Sequence, residues 1–160
     1  LANIEGAGRV IVAGSWDEKL AVARSCGAAE TINYHSEDVA QRVKELTSGG
    51  PEIIIETSGS SSALSSAVQA LKPAGRIAAV SWYSGQSINV PMNTLIAKDA
   101  ELIGSLGSPN SFEPVLRYMA EGRLNVKPLI THIRPLEDLG AVVEMIRAKQ
   151  EMRIKILLKP

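Results

Sequence analysis

Short apolar runs alternate with segments of helical periodicity along the whole chain. The clearest run is Ile53-Ile54-Ile55, which is followed by Glu56 and then by Thr57-Ser58-Gly59. β-Branched residues pack well on a pleated surface, and this run does not alternate with polar residues. It therefore predicts a strand that is buried on both faces, which is typical of the centre of a parallel sheet covered by helices.

The same periodicities predict seven strands and six helices in alternation. The predicted strands are 9–13, 30–34, 52–56, 76–82, 101–106, 129–133 and 153–158, and the predicted helices are 17–26, 37–46, 60–71, 93–97, 111–121 and 136–148. Ser36 and Asn93 are the expected caps of the second and fourth helices. Residues 1–8, which end in Gly6-Ala7-Gly8, are typical of the end of a helix. Short connections between alternating elements predict an α/β fold with a doubly wound parallel sheet, in one domain spanning 1–160.

Composition narrows the class of partner. The 160 residues carry 17 Lys and Arg against 17 Asp and Glu, so the net charge is zero and no basic surface for nucleic acid or membrane is expected. No apolar run is long enough to span a membrane, and no signal peptide is expected. One cysteine excludes an internal disulfide and favours a reducing, cytoplasmic compartment.

Function is expected first at the carboxyl ends of the strands, because ligands of open α/β sheets bind in the crevice there. Thr57, Ser58 and Gly59 follow the isoleucine strand directly. The alternative is that these residues only turn the chain and cap the next helix. Glu56 is either a bystander or a residue that orients the neighbouring loops.

A set of phrases in a fixed order resembles one family across nearly the whole chain. The chain is similar to the cofactor-binding half of the medium-chain, zinc-dependent alcohol dehydrogenases. The phrases are Ala21-Val22-Ala23-Arg24-Ser25-Cys26-Gly27-Ala28, Thr31-Ile32-Asn33-Tyr34, Leu46-Thr47-Ser48-Gly49-Gly50, Ile55-Glu56-Thr57-Ser58-Gly59, Leu71-Lys72-Pro73-Ala74-Gly75, Ala100-Glu101-Leu102-Ile103-Gly104-Ser105 and Pro128-Leu129-Ile130-Thr131-His132.

This resemblance implies a Rossmann-like fold that is incomplete at its N-terminus. The family's catalytic domain, with its zinc, and the first strand with its glycine-rich turn would all precede Leu1. Gly6-Ala7-Gly8 does not replace that turn, since it precedes a strand, and Gly14-Ser15-Trp16-Asp17 offers only one glycine. We therefore expect weak, about millimolar, or absent binding of NADP or NAD by this chain alone.

Loss of a central strand would leave unpaired edges on the strands at 9–13 and 52–56. Either these two strands pair directly or another chain fills the gap. The resemblance also implies a homodimer formed through the edge strand near 101–106.

The family pattern assigns candidate cofactor residues. An acidic residue that would bind the adenosine ribose is replaced by Gly14, and Ser15 and Lys19 could bind a 2′-phosphate, so NADP is allowed and favoured over NAD. Lys155 falls where relatives place a basic residue towards the pyrophosphate, although it could equally be a solvated charge.

Three strand ends complete the candidate cofactor site. The resemblance implies that the loops which follow these strands line the cofactor. Their candidate residues are Thr57, Ser58, Gly59, Ser81, Trp82, Ser105 and Leu106.

The remaining candidates indicate structure, and no catalytic residue or metal ligand is predicted. Cys26 is expected to be buried packing, His35 a surface loop residue, and His132 a structural residue in a strand. The apolar residues at 112, 118 and 119 are expected to lie in the core or at an interface.

Three functions remain open from the sequence. The first is the cofactor half of an NAD(P)-dependent, zinc-type alcohol or polyol dehydrogenase, inactive alone. The second is the same part of a zinc-free quinone or enoyl reductase. The third is a non-catalytic, self-associating nucleotide-binding module.

Overall fold

A computed structural model describes residues 1–85, 87–107, 110–148 and 151–160, and it is an α/β structure. The strands are β1 (Ile11–Gly14), β2 (Glu30–Asn33), β3 (Ile53–Glu56), β4 (Arg76–Ala79), β5 (Glu101–Gly104), β6 (Ile130–Pro135) and β7 (Lys155–Lys159). The helices are α1 (Asp17–Ser25), α2 (Val39–Leu46), α3 (Ser61–Ala70), α4 (Met92–Ala97), α5 (Phe112–Ala120) and α6 (Leu139–Ala148). Short 3₁₀ turns at Lys127–Leu129 and Leu136–Asp138 precede β6 and α6.

Every strand pair in the described residues is parallel, which confirms the predicted class. The strands form three small sheets, with orders β1-β2, β3-β4-β5 and β6-β7. The chain divides into two compact units, the first comprising Leu1–His35 with Pro109–Pro160 and the second Ser36–Ser108. Whether they act as one domain stays a prediction.

In the first unit, residues 1–8 form a helical turn that ends at a left-handed glycine. Gly6 has a φ of 93°, its N–H donates to the Asn3 carbonyl at 3.2 Å, and the Ala7 N–H donates to the Ala2 carbonyl at 2.9 Å. This pair of bonds is the Schellman motif of a helix C-terminus. It confirms the interpretation of residues 1–8 as a helix end.

The core of the second unit is built by α3. Its apolar positions recur with helical spacing and form one face against β4 and α4. Buried members of the cluster are Leu64, Ala67, Val68, Leu71, Ile77 and Leu95. The Ser60 hydroxyl caps α3 by accepting from the Ala63 N–H.

The prediction that the isoleucine strand is buried on both faces is wrong. Ile54 packs against the core cluster and Glu56 is buried, but Ile53 and Ile55 are 63% and 59% exposed. Successive side chains of a strand point to opposite faces, so β3 is covered on the face that carries Ile54 and Glu56 and open on the other.

Two predicted caps are also wrong. Helix α2 begins after Asp38, whose carboxylate accepts from the Gln41 N–H at 2.8 Å, and not after Ser36. Pro91 occupies the cap position of α4, and no side chain caps that helix. Asp is as good a cap as Ser, so the sequence alone left two competing starts.

Buried roles predicted for Cys26 and for the apolar face of α5 are not observed. Cys26 is exposed, because α1 ends at Ser25 and the chain turns away at Gly27. Phe112 is 77% exposed and Met119 is also exposed, so they are not core residues of this chain. Their alternative role at an interface stays a prediction. His35 is exposed, as predicted.

Open strand edges are present where they were predicted. In the described residues β1 pairs only with β2, and β3 pairs only with β4. Since β1 belongs to the first unit and β3 to the second, direct pairing of these two strands stays a prediction. Occupation of these edges by another chain stays a prediction.

Lys98, just after α4, closes the C-terminus of α3. Its ammonium donates to the carbonyls of Val68 at 2.9 Å and Gln69 at 2.8 Å, and also to that of Leu71. The last carbonyls of a helix have no partner within the helix and carry the negative end of its dipole. One cation thus satisfies three of them.

Replacing Lys98 with Met should lower the free energy of unfolding by about 2 kcal/mol, since bonds from a charged donor are lost while the aliphatic chain is kept. The matched control is Lys72→Met, which removes only an exposed ion pair with Glu52 and should cost at most about 0.5 kcal/mol. Urea unfolding followed by circular dichroism measures both. Equal losses would show that the α3 cap is not stabilising.

Candidate functional site

The carboxyl ends of β3, β4 and β5 lie at one edge of their sheet. Glu56 pairs with Ala79, and Ala79 pairs with Gly104, so the three strands end at the same level. Backbone hydrogen bonds continue one residue further, from the Val80 N–H to the Glu56 carbonyl and from the Ser105 N–H to the Ala79 carbonyl. The predicted meeting of these three strand ends is confirmed.

A pocket of about 250 Å³ opens between the loops that follow β3 and β4, and we call it the strand-end pocket. Its lining is small and polar apart from two aromatic residues and one isoleucine. It consists of Ser58, Gly59, Trp82, Tyr83, Ser84 and Ile88.

The pocket gathers some of the predicted site residues. Ser58, Gly59 and Trp82 line it, whereas Thr57 does not. The loop after β5, with Ser105 and Leu106, is likewise outside the lining, and the Leu106 side chain is exposed. Ser81 is also outside the lining, and its hydroxyl is 3.1 Å from the position that a Cβ on residue 59 would take.

Gly59 makes the close approach of the two loops possible. Its φ is 67°, and a Cβ at this position would lie 2.4 Å from the Trp82 carbonyl oxygen. Both the left-handed backbone and the backbone contact exclude any side chain without rearrangement.

A buried carboxylate connects the same two loops. Glu56 is 5% exposed, and its Oε1 accepts from the Ser58 N–H at 2.7 Å and from the Ser58 hydroxyl. Its Oε2 accepts from the Gly59 N–H at 3.3 Å and from the Tyr83 hydroxyl. The two oxygens therefore accept four hydrogen bonds, which is what an ionised carboxylate can accept when it is buried.

The pKa shifts of this pair follow from the network. Burial raises the pKa of Glu56, but the bonds from Ser58, Tyr83 and Gly59 outweigh it and hold the pKa below its ordinary value. Burial, and then the bond to Glu56 and its charge, raise the pKa of Tyr83 to about 12. Linkage gives stability from Glu56 that is lost as the pH falls below the ordinary pKa of a glutamate, and stability from Tyr83 that is lost between about pH 10 and 12.

Three residues of the lining were not predicted from the sequence, namely Tyr83, Ser84 and Ile88. Tyr83, which also binds Glu56, lies one position beyond the predicted Trp82, in a loop without periodicity, so nothing marked it. Glu56 carried a signal, since it is an acidic residue at the end of a strand of isoleucines. Of the two roles considered for it, orientation of the neighbouring loops is the one that the hydrogen bonds support.

The first unit carries the other predicted cofactor residues. Gly14 ends β1, and a Cβ there would lie 3.0 Å from the Leu20 side chain. Ser15 follows in the turn to α1, and the Lys19 ammonium lies 5.9 Å from the centre of the Trp16 ring.

A carboxylate that the sequence analysis did not consider lies in the first turn of α1. Asp17 accepts from the Asn33 amide at 2.8 Å, which ties α1 to the end of β2. Lys155 is the first residue of β7 and is exposed, so it lies at the amino end of its strand. Its assignment to the pyrophosphate stays a prediction.

No three His, Cys, Asp or Glu side chains in the described part of the chain come together to form a metal site. Within the same part, no helix combines the length and the apolar character needed to cross a bilayer.

The model of one protein family, described as zinc-binding dehydrogenase, matches residues 1–121. The chain belongs to the zinc-binding dehydrogenase family. Its similarity extends beyond the matched segment, since L-threonine 3-dehydrogenase of Pyrococcus horikoshii is 32% identical over 99% of this chain. Sorbitol dehydrogenase of Rattus norvegicus is 30% identical over the same share.

Solved structures of similar proteins share the fold. A protein from Escherichia coli CFT073, described as a short chain alcohol dehydrogenase and complexed with NADH, is 26% identical and superposes over the whole chain with a TM-score of 0.89. Benzyl alcohol dehydrogenase from Acinetobacter calcoaceticus gives a TM-score of 0.88 over 99% of the chain. These likenesses confirm the Rossmann-like class and the resemblance drawn from the sequence.

The chain corresponds to only part of the length of each curated relative. The chain spans 47% of the Pyrococcus enzyme and 44% of the rat enzyme. The matched part is thus less than half of each curated relative.

Gly59→Ala should lower the free energy of unfolding by about 2 kcal/mol or more, because the alanine would have a strained backbone and would also clash with the Trp82 carbonyl. Gly85→Ala is the matched control, since Gly85 has a similar φ of 61° and nothing within 4 Å of its added Cβ. It should cost about 1 kcal/mol. Thermal unfolding compares the two, and equal losses would contradict the close contact.

Proposed function

We propose that this chain is the nucleotide-cofactor-binding part of an NAD(P)-dependent, zinc-type alcohol or polyol dehydrogenase. The observation that carries the proposal is the strand-end pocket, which lies at the carboxyl edge of a parallel sheet in a member of this family. Support comes from the NADH bound to a structural relative and from the alcohol and polyol substrates in the relatives' names. A cytoplasmic location belongs to the same proposal and is favoured by the free cysteine.

The nicotinamide dinucleotide would supply the hydride transfer when bound. In this proposal the role of the chain is to bind and orient the dinucleotide. Ser58 and Ser84 provide hydroxyl groups at the pocket, Trp82 provides a flat apolar surface, and Gly59 keeps the loop backbone close. The described residues do not fit a zinc ion, so no step on a metal is assigned to this chain.

Cofactor choice is proposed to depend on Gly14. Dinucleotide folds that prefer NAD place a carboxylate at this strand end, where it binds the ribose hydroxyl and repels a 2′-phosphate. Gly14 provides no carboxylate, and Ser15 and Lys19 follow it closely in the sequence. Binding of NADP is therefore preferred in this proposal, although Asp17 leaves one negative charge nearby.

Titration of the chain with NADPH and NADH by calorimetry tests this choice. Wild type should favour NADPH, and Gly14→Asp should weaken NADPH binding about tenfold relative to NADH, because a like charge meets the phosphate. Gly14→Asn, which has the same size without the charge, should leave the ratio within about twofold. An equal loss of NADPH binding in Gly14→Asn would mean that the contact with Leu20, and not the charge, determines the choice of cofactor.

We further propose that the protein is a homodimer through β5. All four residues of β5 are exposed, and in the described residues the strand pairs only with β4, so its other edge is open to a second copy. Leu102 and Ile103 add apolar surface at this edge.

Sedimentation velocity should show a dimer, and Ile103→Lys should shift it towards monomer by placing a charge at the paired edge. Ile53→Lys is the control, because Ile53 is an exposed isoleucine on a different strand. A wild-type monomer at micromolar concentration, or dissociation by the control alone, would contradict the β5 interface.

A further inference from the structure

The two loops of the strand-end pocket are joined through one side chain. Glu56 belongs to β3, yet its Oε2 accepts from Gly59 in the loop after β3 and from Tyr83 in the loop after β4. Its Oε1 is occupied by the backbone and hydroxyl of Ser58. The carboxylate thus contacts three residues of the pocket lining at once.

The network continues into the helix that follows. The Ser58 hydroxyl accepts from the Ser60 N–H at 3.1 Å, and the Ser60 hydroxyl accepts from the Ala63 N–H at 3.4 Å, in the first turn of α3. The turn after β3 is therefore held both by Glu56 and by the start of α3. The loop after β4 has a different anchor, the Tyr83 hydroxyl on the same carboxylate.

This arrangement contrasts with the exposure of the loop that it holds. Trp82 is 78% exposed, so its ring is not fixed by burial in a core. Its carbonyl nevertheless lies against Gly59, and the half-buried Tyr83 packs against the core cluster of this unit. The directional bond to a buried charge adds to these apolar contacts, because it fixes where the Tyr83 hydroxyl lies.

We propose that Glu56 is a positioning residue for the cofactor, which it serves by holding the Tyr83 loop and the Ser58–Gly59 turn at a fixed separation. The inference rests on the proposed function, because it presumes that the strand-end pocket receives a nicotinamide dinucleotide. If the loops of a pocket are already ordered before the ligand binds, no part of the binding free energy is lost in ordering them. We call the hydrogen bonds from Ser58, Gly59 and Tyr83 to Glu56 the clamp. Loss of the clamp should therefore weaken cofactor binding, although neither Glu56 nor the Tyr83 hydroxyl needs to touch the cofactor.

Two variants remove the clamp in different ways. Tyr83→Phe keeps the ring and removes only the bond between the loops. Glu56→Gln keeps the size and one acceptor oxygen for Ser58, but its amide nitrogen cannot accept from the Gly59 N–H or from the Tyr83 hydroxyl. If Glu56→Gln fails to fold, Tyr83→Phe still decides the question. Lys98→Met is the control, since it destabilises the same unit at the far end of α3 and alters no pocket contact.

Calorimetric titration of each protein with NADH and NADPH gives the first readout. Both clamp variants should raise Kd about fivefold or more, and the double variant should raise it by less than the product of the two, since both act on one bond. Lys98→Met should change Kd by less than about twofold. Unchanged Kd in the clamp variants, or an equal rise in the control, would overturn the positioning role.

Fluorine NMR of the chain labelled with 5-fluorotryptophan gives a readout without cofactor. The Trp82 signal, assigned with Trp82→Phe, should shift or broaden in Tyr83→Phe, whereas the Trp16 signal should not. A raised Kd with an unchanged Trp82 signal would refute the loop mechanism. If wild type binds neither NADH nor NADPH, the proposed function fails and the positioning role fails with it; wild-type binding with unaffected variants rejects the positioning role alone.

Discussion

The register of the three-stranded sheet is the constraint on which the site depends. Since Glu56, Ala79 and Gly104 pair in line, the chain must leave all three strands at one level. Period-2 alternation then turns the Glu56 side chain to the covered face, the same face as Ile54. A carboxylate so placed must be fully hydrogen-bonded, and the partners within reach are the two loops that begin at this edge.

The pocket is a consequence of satisfying that carboxylate. Ser58 and Gly59 turn back towards it with their N–H groups, and Tyr83 reaches it from the adjacent strand end. Only a residue without Cβ tolerates the resulting approach to the Trp82 carbonyl. The loops of the strand-end pocket are thus shaped by a local charge, whereas the hydrophobic core of the unit is formed by the apolar face of α3.

Much of the fold could be predicted because its signals are local. Periodicity placed every strand and helix within a few residues, and glycine marked the helix end at Gly6. Burial could not be predicted as well, since whether Ile53 and Ile55 are covered depends on what packs beyond the sheet. Tyr83 was missed for a related reason: its role arises from a contact with Glu56, which is 27 residues away in sequence.

The most direct test of the account is a two-dimensional ¹H–¹⁵N NMR titration of the labelled chain with NADPH. The account predicts progressive shifts at the amides of Ser58, Gly59 and Tyr83 and at the Trp82 indole, the groups around the strand-end pocket. Shifts confined to surfaces away from these groups would contradict the assignment of the pocket.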